Sequence, residues 1–316
     1  MGIALSASEV PGAAIHERAL HFSSEADGIL VRPITEADLP AAAALCHKAF
    51  NSFNASVGHE AEFPPREIVD VPMELLRQSF TEGFSGFVAV KDGEVVGSNV
   101  LGFQDEVASI GPISSSVPGA GHLLMQAVMK AAAVAGQQTV RLHQVGSNTR
   151  SFSLYLDLGF DPLVTCGSYC GFAAGPAPAG YIGASLTKED VEACSALHSR
   201  VCGVHRRNEI RSSIGGPHPN CVIRDSAGRL VAYSTGCYLS GHSVACSVDA
   251  FKFLVIHQSK AVSAAQAAGA PLPPVTLFVP HTYPELLRWL KNQGLRLMRQ
   301  VVQMGYGPRT EPSNGF

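Results

Sequence analysis

The sequence predicts an α/β chain built twice on one plan, and three observations carry that prediction. A glycine turn, Ser116-Val117-Pro118-Gly119-Ala120-Gly121, separates a strand-like run at 107–115 from an apolar helix at 122–133. A second strand at 139–145 and a second helix at 148–160 follow directly. The same succession of signals then returns in the second half of the chain.

Taken in order, residues 1–28 carry Ser, Gly and Pro without sustained periodicity and read as a loose arm. A strand then leads to Thr35, which precedes Asp38 and an amphipathic run as a helix N-cap would, and Thr187 with Asp190 repeats the pattern. Apolar runs flank Gly93 as in a hairpin, and the pattern recurs around Gly228. An alanine-rich helix ends on Gly136 and its counterpart on Gly269, each placed as a C′ glycine. Tyr155 and Gly159-Phe160 return as Leu290 and Gly294-Leu295. The pairs keep their order, which predicts tandem repeats that meet in the Gly/Ala/Pro stretch 171–180.

The length of 316 residues suits about two domains at roughly 100–200 residues each. With 46% hydrophobic and 16% charged residues, the composition is that of a globular protein. Net charge is −3 with no block of like charge, which argues against nucleic acid or an anionic membrane as partner. No apolar run reaches the ~18 residues of a spanning helix and no leader pattern opens the chain, so a cytoplasmic location is expected. The eight cysteines form no Cys-x-x-Cys and read as reduced and buried. Cys194, His198 and Cys202 would share one helix face, either as metal ligands or as a buried face with a satisfied histidine; the second reading is preferred, and no metal is expected.

A glycine loop feeding a helix N-terminus is an anion site, because its free N–H groups point outward and the helix dipole favours phosphate. Gly119 and Gly121 in that loop, then Asn148, then Leu154-Tyr155 and Gly159-Phe160, form an ordered set. The set resembles the Gcn5-related N-acetyltransferases (GNAT), whose loop reads Gln/Arg-x-x-Gly-x-Gly/Ala. Ser116 replaces the opening Gln/Arg here, and Pro118 offers no N–H.

The resemblance implies two tandem GNAT-like domains, each a mixed, largely antiparallel twisted sheet flanked by helices. The first would span 29–172 and hold acetyl-CoA as cosubstrate. The second, 179–309, would be degenerate, since Ser247-Val248-Asp249 stands where the first copy has Gly119-Ala120-Gly121 and an aspartate there repels phosphate. The implied activity is transfer of an acetyl group to an amine of a small molecule by direct attack in a ternary complex, in a monomer or homodimer. A non-catalytic acyl-CoA-binding or partner-binding module is the rival class.

The resemblance also assigns roles. Ile113, Ser114, Ser115, Ser116, Val117, Gly119, Ala120, Gly121 and His122 would line the coenzyme, joined by Asn148, Arg150 and Tyr155. Tyr155 would be the general acid, since a phenol of pKa ~10 is protonated at neutral pH. The base stays open among Glu62, Asp105, Glu106 and His143. In the loop after the first helix, Phe50, Phe53, Asn54 and Glu62 are candidates to hold the acceptor, or merely to pack over the sheet. Polar clusters at 205–209 and 240–242 either reach the acceptor pocket or are surface charge, and surface charge is the preferred reading.

Overall fold

The computed structural model describes residues 24–68 and 70–308. They form two compact units, 24–104 with 108–140, and 105–107 with 141–308. Of the arm expected over 1–28, residues 1–23 lie outside the described residues, as does residue 309 at the expected end of the second copy. Residues 24–26 are not loose. They form β1 (Ser24–Ala26), which pairs antiparallel with β2 (Ile29–Pro33) across Asp27 and Gly28, both at positive φ.

In the first unit, Thr35 and Asp38 form a capping box. The Asp38 carboxylate accepts from the Thr35 N–H (2.8 Å) and hydroxyl (2.7 Å) and pairs with Arg32, which holds its pKa down to about 2. This box opens α1 (Leu39–Ser56), which is followed by α2 (Val71–Arg77). The hairpin of β3 (Phe84–Lys91) and β4 (Glu94–Gly102) turns on Asp92-Gly93, again at positive φ. Then come β5 (Val107–Ile110), β6 (Ser114–Ser115) and α3 (Ala120–Val134). The sheet order is β1-β2-β3-β4-β5, with β6 also on β4. Val88 and Val100 pack with Leu39, Ala42, Ala43 and Leu76 on the α1 side. On the other face, Gly97 leaves room for α3: a Cβ there would sit 2.8 Å from Leu124.

The second unit contains most of β7 (Thr139–Val145), from Arg141 onward, then α4 (Thr149–Asp157), β8 (Asp161–Gly171) and β9 (Tyr181–Ala184). It continues with α5 (Val191–Cys202), α6 (Arg207–Ser212), β10 (Cys221–Asp225), β11 (Leu230–Ser234) and β12 (Ser243–Ala245). It closes with α7 (Val248–Ala267), β13 (Val275–Pro280), α8 (Pro284–Asn292) and β14 (Arg296–Tyr306). The Thr187–Asp190 box repeats the first, with Arg224 as the arginine partner of Asp190. One sheet runs β12-β11-β10-β9 and another path runs β7-β14-β8-β13.

The second path shows how the copies are joined. β14, the last strand of the second copy, lies between β7 and β8 of the first, while β8 lies between β14 and β13. The two copies exchange their last strands. The β8–β14 ladder is symmetric about Cys166↔Val301, since Gly167↔Gln300 mirrors Thr165↔Val302 and Ser168↔Arg299 mirrors Val164↔Gln303. The sequence offset that separates Cys166 from Val301 also separates Tyr155 from Leu290. The expected boundary at 172–179 therefore falls inside the second unit. Among the described residues no helix is long and apolar enough to cross a membrane.

Candidate functional site

In the first unit, the strand expected over 107–115 is broken. Ser98 pairs with Ser114 and Leu101 with Ile110. Three steps along β4 thus face four along its partner, which is a one-residue bulge at 111–113 that releases Ile113 from the ladder. After the bulge, the Ser116 N–H (2.9 Å) and hydroxyl (3.2 Å) both donate to the Val96 carbonyl and tie the start of the turn to β4. Gly119 is the N-cap of α3 at φ 85°, a conformation that strains any L-residue with a side chain. The first helical bond is Leu123 N–H to Gly119 O at 3.1 Å, so the N–H groups of Ala120, Gly121 and His122 lie ahead of it. Ser115, Ser116, Pro118, Gly119 and His122 are exposed, Val117 and Gly121 are half-buried, and Ala120 is buried. The turn therefore combines the features of a phosphate cradle: glycine backbone, exposed loop and the positive end of a 15-residue helix. Ser114 is buried and points inward, its hydroxyl 3.2 Å from that of Ser98.

Of the acceptor candidates expected in the loop after the first helix, Phe50, Phe53 and Asn54 lie instead on the last turns of α1, which run on to Ser56, and only Glu62 stands in the loop that follows. Asn54 is 1% exposed and donates to Glu60 O (3.0 Å) and the Glu62 carboxylate (3.3 Å). Asn51 makes two bonds to the Phe63 backbone, and Phe50 packs edge-on against Phe63 at 5.4 Å. Phe50 and Phe53 are half-buried.

In the second unit, Asn148 caps α4, its Oδ1 accepting from Ser151 N–H at 3.1 Å. Arg150 is exposed on the first turn of α4. Tyr155 is 5% exposed and faces Phe160, with ring centroids 6.1 Å apart. Burial pushes its pKa up to about 12, so the phenol keeps its proton at neutral pH. The base candidates separate. Asp105 accepts from the N–H groups of Asn208 (3.0 Å) and Glu209 (2.9 Å), and Glu106 from that of His205 (2.9 Å). Both carboxylates therefore act as caps for α6 and the residues before it. His143 alternates with the buried Leu142 and Gln144 and is exposed, with its ring 5.0 Å from Phe278.

The polar clusters expected as surface charge form a partly buried network instead. Glu209 bonds Arg206 through Oε2 and the His242 ring through Oε1 (3.0 Å), and the other ring nitrogen of His242 lies 2.8 Å from the hydroxyl of the fully buried Tyr233. Only the Arg206/Glu209 spacing hints at this in the sequence; nothing local announces His242 or Tyr233. His198 is buried on α5 with Nδ1 2.8 Å from Val204 O, and Cys194 lies in the adjoining core. In the second copy Ser247 caps α7 by accepting from Ala250 N–H (3.2 Å), and Asp249 pairs with Lys252.

No family model and no curated protein matches the sequence. Solved structures do match in shape. A protein assigned as an acetyltransferase from Pyrococcus horikoshii aligns over 93% of this chain and 94% of its own, at TM-score 0.67 and 16% identity. The chain has the GNAT fold. A GCN5-related N-acetyltransferase from Sphaerobacter thermophilus covers 91% of this chain and 99% of its own (TM-score 0.60, 14% identity). A tandem GNAT protein from the clavulanic acid biosynthesis pathway covers 90% and 99% (0.54, 13%). The tandem GNAT architecture accounts for the order of elements, which the second copy repeats from β9 to β14.

Proposed function

We propose that this chain is an acyltransferase that moves an acetyl group from acetyl-CoA to an amine of a small molecule by direct attack in a ternary complex. The observation that carries the reading is the Gly119-capped start of α3, reached from an exposed turn tied to β4 by Ser116. Acetyl-CoA supplies the activated acyl group. The backbone N–H groups of Ala120, Gly121 and His122 bind its phosphates, Ser115, Ser116 and Val117 line the approach, and Ile113 N–H polarises the thioester carbonyl. Asn148 and Arg150 serve the same ligand. Transfer forms a C–N bond and breaks a C–S bond. One proton leaves the amine, and Tyr155 O–H gives one to the departing sulfur. His143 is the base candidate on the outward face of β7. The first copy, 29–172, carries this chemistry. The second, 179–309, offers a capped and acidic helix start where the first offers glycine.

Release of coenzyme thiol with a panel of amines tests the proposal. Amine-dependent release that Gly121→Trp abolishes supports it. Acetyl-CoA binding without release from any amine favours the non-catalytic module, a reading that the missing Pro118 N–H keeps in view.

A further inference from the structure

The two copies differ at one sheet edge. In the first copy β1 covers the outer side of β2, through the Asp27-Gly28 turn. The shift along the sequence that carries Thr35 to Thr187 also carries Gly28 to Gly180 and β2 to β9. Among the described residues, β9 pairs with β10 alone and ends its sheet. The reason is legible in the chain before it. The same shift carries Ser24 and Ala26, which lie opposite Val31 and Ile29, to Pro176 and Pro178. A two-residue turn with both residues at positive φ makes Ala26 and Ile29 a hydrogen-bonded pair, and alternation makes Ser24 and Val31 the next. Proline at both donor positions denies β9 a covering strand of its own. The chain follows the helices instead: Ala173 N–H donates to Ser259 of α7 (2.9 Å), and Gly175 N–H donates to Gln293 at the end of α8 (2.6 Å).

We propose that this edge is a dimer interface, covered by β9 of a second copy of this chain running antiparallel about a two-fold axis. Tyr181 and Gly183 are the counterparts of Ile29 and Val31, so their N–H and C=O groups point outward from the open edge. Tyr181 rests against Phe253 of α7 at 5.6 Å, and Gly183 lies beneath His257, where a Cβ would come within 2.5 Å of the ring. Ile182 is on the opposite face and 69% exposed. The edge is self-complementary in one register. Tyr181 then faces Gly183 of the second copy, and each outward N–H meets an outward carbonyl. The axis passes between the two Ile182 residues, which meet as a non-hydrogen-bonded pair, the kind whose side chains approach most closely. The Tyr181 ring of each copy covers the space that Gly183 of the other leaves open. The strand Tyr181-Ile182-Gly183-Ala184 carries no charge that would repel its own copy, and no lysine or proline that would guard the edge.

Sedimentation velocity of the full chain over a concentration series should show a monomer–dimer equilibrium. Ile182→Lys changes an exposed side chain and should leave the circular dichroism and melting temperature of the monomer unchanged. It sets like charges opposite each other on the axis and removes both isoleucine contacts, so dimerisation should weaken at least about ten-fold. Ile182→Cys gives a second reading. Mild oxidation should link two chains through that position, because the residues face each other within bridging reach, while the natural chain oxidised in the same way stays unlinked. A chain that is monomeric at every concentration, a dimer as tight in Ile182→Lys as in the natural chain, or no cross-link in Ile182→Cys overturns the proposal. So does a native mass spectrum in which one chain carries a foreign peptide in place of the second copy.

Discussion

Removing β14 tests the strand exchange. A chain stopped after Gly294 keeps every element of the first copy but loses the strand between β7 and β8. The deletion withdraws Leu295 (2% exposed), Val301 (4%) and Met304 (0%) from the interior. Each fully buried side chain of this kind contributes about 1.5–3 kcal/mol, so the loss is roughly 5–9 kcal/mol before the β8 ladder bonds are considered. That approaches the whole stability of a typical domain, about 5–15 kcal/mol. Hydrogen exchange at the β8 amides, followed by mass spectrometry, should show protection in the full chain and none in the shortened one. Thermal unfolding of the shortened chain should lose its cooperative transition. If β8 stays protected and the melting temperature lies within about 5 °C of the full chain, the exchanged strand is dispensable and the reasoning fails.

Other outcomes follow from single groups. Tyr155→Phe should leave acetyl-CoA affinity intact and lower turnover by about 10²–10⁴; a loss within a few-fold means that water protonates the sulfur. Asp105→Ala should cost about 1 kcal/mol of stability as a lost cap while turnover stays within a few-fold, and a hundred-fold fall in turnover would make Asp105 the base. Burial, then the charges of His242 and Arg206, push His198 down to about 3, so it is neutral when folded and takes up a proton when unfolded. Its contribution to stability is complete above pH ~6.5 and lost as pH falls toward 3, by roughly 2–3 kcal/mol at pH 4.5. Denaturant titrations should show His198→Asn with a shallower acid dependence than the natural chain, and equal slopes would contradict the assignment.

The α/β class and its tandem plan were legible because their signals are local. Thr35 and Asp38, Asp92-Gly93, and Gly119 before an alanine-rich run each fix a cap, turn or helix start within four residues. Duplication of such signals, as in Thr187 with Asp190, reveals a repeat. The exchange of β8 and β14 was not legible, because alternation tells which face of a strand is buried and not which strand lies beside it. The bulge at 111–113 escaped for a related reason, since it is defined only by the register against β4. In the sequence Asp105 and Glu106 are base candidates ahead of a strand, and their partners at 205–209 lie about a hundred positions away. The network of Arg206, Glu209, His242 and Tyr233 likewise joins three separate segments, so its burial could be seen only in the fold.

Calorimetric titration of acetyl-CoA onto the full chain separates a site at the first glycine turn from any site in the second copy. One site per chain is expected, at the turn that Gly119 caps, with binding abolished by Gly121→Trp and unaffected by Asp249→Ala in the second copy. Two equivalent sites per chain, or affinity unchanged by Gly121→Trp, would contradict it.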